Sequence, residues 1–207
     1  ADSVGTGAAP VHTTAGTLGG QVTSAGGDFY VDEADSVTIG QVNNLIGGGN
    51  FDGISTNSGT VVVRLTSGGS TLTVVDNLVS DTIRTLGGTV RLEADEMTLN
   101  TGGGQFAINS GAGNVYLAPI TSGTSIDLGV AVPGTYGLEL DNNELSEIMS
   151  TGTVVIGDSS LVAAGIIHIT AGINPANFNN MALVTGDTGV GTTAIDDGTA
   201  GAGGNKI

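Results

Sequence analysis

Short runs of Val, Ile and Leu alternate along the chain with turns rich in Gly, Ser, Thr and Asn. The runs lie at 37–39, 61–65, 71–75, 90–94, 97–99, 106–108, 115–117, 126–128, 138–140, 154–156, 166–169 and 182–184. Inside them apolar and polar residues alternate. In Val90-Arg91-Leu92-Glu93-Ala94 the apolar side chains share one face, and Arg91 and Glu93 share the other. That period of two is the signature of a half-buried strand. Through the middle of the chain the run centres fall about every 9 to 12 residues, the spacing of a strand plus a turn in an all-β protein.

A loose repeat organises the runs. Gly59-Thr60-Val61, Gly88-Thr89-Val90 and Gly113-Asn114-Val115 open successive segments at nearly equal intervals. Each segment holds two or three runs, enough for one solenoid coil of three short strands. About eight coils at roughly 4.8 Å each would give a rod of about 40 Å. A sandwich would show fewer, longer strands and a large core aromatic. The expected fold class is therefore all-β, a parallel β-helix (β-solenoid) with short strands. Strand partners should be parallel and about 20–30 residues apart, one coil. Val61, Val63, Leu65, Val90, Leu92, Val115, Leu117, Val154 and Ile156 should point inward. Residues 1–34 read as a Gly/Ala/Thr-rich lead-in with room for a first coil, 35–185 as the solenoid and 186–207 as a Gly-rich extension. The exception to the β rhythm is Asp141 to Met149. Asp141 with Glu144 three residues later makes a capping box, and Leu145, Ile148 and Met149 follow at helical spacing. One short surface helical turn is expected there, apolar side down.

Composition narrows the function classes. Twenty acidic residues stand against four basic ones, a net charge of −16. That balance excludes a phosphate-tracking nucleic-acid binder and an electrostatic anchor on anionic lipid. No run approaches the length of a membrane-spanning helix. The chain has no cysteine, which excludes disulfides, thiolate metal sites and a cysteine nucleophile. It begins Ala-Asp-Ser without an initiator Met. A removed signal peptide and a fragment of a longer polypeptide both account for that start.

One succession carries a resemblance. Gly113-Asn114-Val115-Tyr116-Leu117-Ala118-Pro119 leads through Ile126-Asp127-Leu128-Gly129 to Leu138-Glu139-Leu140-Asp141. Glu144-Leu145-Ser146-Glu147-Ile148, Thr151 to Asp158 and Gly165-Ile166-Ile167-His168-Ile169 follow. Over about residues 35–170 this resembles the repeat units of filamentous-haemagglutinin-like bacterial surface proteins. The resemblance implies a right-handed parallel β-helix, export by two-partner or autotransporter routes, and an extracellular or cell-surface location.

Candidate chemistry is sparse. His12 and His168 lie near opposite ends of the chain, no metal-ligand spacing, and His168, opposite in sense to Ile167 and Ile169, should point outward or sit in a satisfied core pocket. The carboxylate pairs are Asp32-Glu33, Asp95-Glu96 and Asp196-Asp197, adjacent residues that point to opposite faces in a strand, and Glu144 with Glu147 in the expected helical turn. Glycoside hydrolysis needs carboxylates that face each other. Arg64 and Arg91, one coil apart in sequence, suit a stacked pair near Glu93, read as a surface salt bridge. No cofactor is expected, with calcium as the one candidate. Gly47 to Gly53 is weakly similar to the glycine–aspartate nonapeptide of calcium β-rolls. Asp52, Asp187, Asp196 and Asp197 offer oxygen ligands in turns, although each element occurs once.

The leading expectation is a non-catalytic structural and adhesive segment of an extracellular surface fibre. Its partners would be flanking coils of a longer parent chain or further copies joined head to tail. Surface glycans are a further candidate partner. The alternative is a glycan-binding or glycan-cleaving β-helix protein, which a groove lined by carboxylates and by Tyr116 and Tyr136 would favour. A third architecture, a jelly-roll lattice subunit, would show antiparallel pairing.

Overall fold

The structure, a computed structural model, describes residues 2–43, 49–75, 79–100, 103–158, 165–186 and 195–196. The described chain is nearly all β, and its strands stack in three parallel rows. The first row runs through Gly20–Ala25, Ile54–Asn57, Ile83–Arg84, Ile108–Gly111 and the start of Ile148–Ile156. The second runs through Val11–Thr13, Phe29–Glu33, Val61–Leu65, Val90–Glu93, Val115–Ala118, the end of Ile148–Ile156 and the end of Phe178–Leu183. The third begins Thr17–Leu18, Val37–Ile39, Thr71–Val74, Glu96–Leu99. The chain visits the rows in turn and returns one level further along, which is a solenoid-like winding. Strand Ile148–Ile156 spans two rows and joins them into one curled sheet.

Among the named strands only Gln41–Asn43 and Asn50–Asp52 pair antiparallel. Every described ladder from Val61 to Ile169 is parallel, as expected, and this pairing is incompatible with a jelly roll. The coil length departs from expectation in two places, the first being the coil that carries the antiparallel hairpin, where Gly20 pairs with Ile54 and Val37 with Leu72. Val61 pairs with Val90 and Val90 with Val115, steps of the expected length. Val115, however, pairs with Val154, and Ile108 with Ile148, which makes that coil longer by roughly half. The added length is a second strand in the third row. Ile126–Leu128 pairs with Leu138–Leu140, which follows it closely in sequence. Leu138–Leu140 packs beside Glu96–Leu99, and Ile126–Leu128 pairs onward with Ile167–Ile169. The later strand thus occupies the earlier level.

The core is a set of aliphatic columns running along the winding. Val61, Val90, Val115 and Val154 form one, and Val63, Leu92, Leu117 and Ile156 another. These residues and Leu65 are fully buried, which places all nine expected inward positions inside. Ile54, Ile83, Ile108 and Ile148 make the first row's equivalent. Each such side chain contributes about 1.5–3 kcal/mol relative to exposure, so the fold rests on many equal contacts and not on a few aromatics.

The corner between the first and second rows explains the repeat. Buried Thr56, Thr85 and Ser110 each donate a hydroxyl hydrogen bond to the glycine carbonyl three residues on, at Gly59, Gly88 and Gly113, over 2.6–2.7 Å. Ser150 donates to Gly113 from the next coil. The glycines stack so closely that a Cβ on Gly88 would lie 2.0 Å from the Gly59 carbonyl oxygen, and one on Gly113 would lie 1.9 Å from that of Gly88. Glycine is required here for close backbone approach; the left-handed conformation falls on neighbours such as Gly87 and Gly111.

The helix forms at Asn142–Ser146 with the expected reciprocal capping box between Asp141 and Glu144. It is shorter than the apolar spacing suggests. Leu145 is buried beneath it, but Ile148 and Met149 already belong to the following strand, where Ile148 points in and Met149 out. The register of Ile148 on Ile108 decides this: continuing the column buries Ile148 and returns the chain to β structure.

Candidate functional site

Outward positions of the second row fall into two columns. Tyr30, Val62, Arg91 and Tyr116 share one, and His12, Asp32, Arg64 and Glu93 share the other. From Asp32 through Arg64 to Glu93 the second alternates in sign along the winding. His12 Nδ1 lies 3.7 Å from Asp32, and Arg64 Nε lies 3.6 Å from Glu93. Arg91 reaches across to Glu93 and, through its terminal nitrogen, to Asp158. Glu93 and Asp158 are buried to 8% and 9% side-chain exposure, so this network is not the surface salt bridge expected from the sequence. Nor do the arginines stack on each other. Arg64 is level with Glu93, and Arg91 with Val62. Burial alone would lower the Arg91 guanidinium, but its hydrogen bond to Asp158 and the field of Glu93 outweigh that and raise it. The Arg91 guanidinium carbon sits 5.6 Å over the Tyr116 ring, a cation–π contact. A groove of about 400 Å³ runs along this face, lined by Tyr30, Val62, Arg64, Arg91 and Tyr116 with Thr60 and Thr89 at its edge.

The third row carries a different cluster. Its outward column is Glu139, Asp127 and His168, and the backbone of Asp196 pairs in register with that of His168. His168 does point outward, and its ring stacks on Tyr136 with centroids 4.1 Å apart. Asp127 is buried and accepts the Thr170 hydroxyl at 2.8 Å. Glu139 accepts three backbone N–H groups, from Gly134, Thr135 and Tyr136, at 2.8–2.9 Å. Tyr116 lies on the second row and Tyr136 in the bend before Leu138–Leu140, so the two do not line one groove.

These carboxylates respond to pH in opposite senses. Burial raises the Asp127 carboxyl, against the lowering by Thr170, and burial likewise raises Glu144 against its backbone donors. A raised folded value favours the neutral form. The stability from both groups is full below the ordinary carboxylate range and is lost as pH rises through their folded values. At Glu139 burial also raises, but the three N–H donors prevail and lower it. Its contribution is present above its ordinary value and is lost as pH falls through the lowered one. Asp127→Asn should therefore raise the thermal midpoint at about pH 8 and lose that gain toward about pH 4. Melting curves followed by circular dichroism check this, and an equal gain at both pH values would contradict it.

Of the calcium candidates, Asp52 sits in the antiparallel hairpin and accepts the Gln41 amide at 2.6 Å. It borders a cleft of about 210 Å³ with Asp81 and Arg84. Asp196 lies in the third row beside His168, and Asp187 and Asp197 lie outside the described residues. Among the described residues no three His or carboxylate side chains converge as metal ligands, and no helix is long and apolar enough to cross a membrane. Sequence reasoning missed Asp158, Asp32, His12 and Tyr30 as parts of one face. The signal was present. Gly27-Asp28-Phe29 and Gly152-Thr153-Val154 are further copies of the segment start, and aligning them places Tyr30 level with Val62 and Arg91.

No protein-family model, curated protein or solved structure matches this chain.

Proposed function

We propose that the chain is a structural and adhesive segment of an extracellular bacterial surface fibre, wound as a right-handed parallel β-helix of the filamentous-haemagglutinin-like kind. One observation carries the reading. Seven levels of the second row stack in parallel, and the five from Phe29–Glu33 to the end of Ile148–Ile156 reuse the same buried inward columns. A further coil, from the same chain or another copy, adds to such a stack without changing its geometry. Copies added this way make a heterologous contact that does not close and so elongates. The work on this reading is mechanical: inter-coil hydrogen bonds along the axis and continuous aliphatic columns give a stiff rod with little backbone open to proteases. No residue is assigned a catalytic role. Sedimentation and electron microscopy of the purified chain at micromolar concentration test the fibre. The expected result is threads that lengthen along one axis with a repeat of about 4.8 Å. A compact monomer of constant size at every concentration would overturn it.

A further inference from the structure

We infer that the second-row groove binds a neutral oligosaccharide lying along the winding axis. The register places Tyr30 and Tyr116 three strand steps apart in one outward column, with Val62 and Arg91 between them. Three steps span about 14 Å, the length of a short sugar chain and not of a single ring. Two tyrosines and a valine make a predominantly apolar wall, the surface on which the C–H faces of pyranose rings pack. Beside it in the next column stand Asp32, an acceptor, and Arg64, a donor, one strand step apart. Their side chains are 18% and 47% exposed. Sugar hydroxyls both donate and accept, so an alternating acceptor and donor at that spacing suits neighbouring hydroxyls. Arg91 does not serve as a ligand donor on this reading. Its Nε and one terminal nitrogen are engaged by Glu93 and Asp158, and its guanidinium lies over the Tyr116 ring, so it fixes that ring in place. A wall held before the ligand arrives costs less ordering on binding.

Charge decides between sugar classes. Arg64 and Arg91 are outnumbered locally by Asp32, Glu93 and Asp158, on a chain of net charge −16. A uronate, sulfate or phosphate group would meet an acidic field there, whereas a neutral chain would not.

Saturation-transfer NMR observed on the sugar tests this, because it reads binding to monomer and fibre alike and so stands apart from the assembly question. The probes are cello-, xylo-, manno- and maltotetraose against tetragalacturonate. At least one neutral tetrasaccharide should show saturation at millimolar concentration or below, with tetragalacturonate at least tenfold weaker. Tyr116→Ala and Arg64→Ala should each weaken binding about tenfold, Tyr116→Phe should retain it, and Arg84→Ala on the first row should leave it unchanged. Tyr30→Ala provides a second aromatic loss outside the Arg91 contact should Tyr116→Ala disturb folding. The inference is overturned by silence from all four neutral sugars, by equal or tighter binding of tetragalacturonate, or by binding that survives loss of both tyrosines.

Discussion

Leu92→Asp should abolish the cooperative fold at room temperature. Leu92 is fully buried in the second row, stacked between Val63 and Leu117, and its in-row neighbour Val90 is fully buried as well. The substitution removes a buried aliphatic side chain, a loss of about 2–5 kcal/mol. It also places a carboxylate among aliphatic groups without a partner, at a further cost of several kcal/mol even after its pKa shifts to neutralise it. A combined loss of roughly 5 kcal/mol or more is comparable with the whole stability of a typical domain. Leu92→Val, which keeps the column apolar, should cost only about 1–2 kcal/mol. Urea denaturation followed by circular dichroism separates the two. An Asp variant that unfolds at the wild-type midpoint would place Leu92 outside the core.

Gly88→Ala should be among the most damaging single-methyl changes in the chain. The added Cβ would lie 2.0 Å from the Gly59 carbonyl oxygen and 2.6 Å from its carbonyl carbon, both backbone atoms of the previous coil. Relief demands that two coils separate at a corner where Thr85 donates to the Gly88 carbonyl and Gly113 packs equally closely from the far side. Overpacking of this kind costs about 1–3 kcal/mol where side chains can give way, and backbone cannot, so about 3 kcal/mol or more is expected. Gly172 provides the contrast. A Cβ there meets nothing within 4 Å, and Gly172→Ala should be neutral or stabilise by about 0.5 kcal/mol through the unfolded chain. Thermal midpoints of the two variants give the comparison, and equal midpoints would dissolve the corner argument.

The interior was readable because period-two alternation and a parallel stack impose the same demand. A residue such as Val63 must be apolar for its own strand and for the strands on either side, Val31 and Leu92, so each position is specified several times over. The capping box at Asp141 was readable because it is local. The excursion after Ala118 was not. Ile126-Asp127-Leu128 and Leu138-Glu139-Leu140 have the same pattern, and nothing in either states which takes the lower level. The outer face was hidden for a similar reason. Arg91 meets Asp158 from a distant part of the sequence, and Tyr30 aligns with Arg91 only when Gly27-Asp28-Phe29 is read as a further segment start. Outward positions are free to vary in character, so periodicity carries no information about which of them become neighbours.

Methyl-to-methyl nuclear Overhauser contacts in a Val/Leu/Ile-labelled sample test the winding most directly. The parallel stack predicts two unbroken chains of contacts, Val61 to Val90 to Val115 to Val154 and Val63 to Leu92 to Leu117 to Ile156, with the last step in each the longest in sequence. A map dominated by contacts between sequence-adjacent runs paired antiparallel, with those two chains missing, would contradict it.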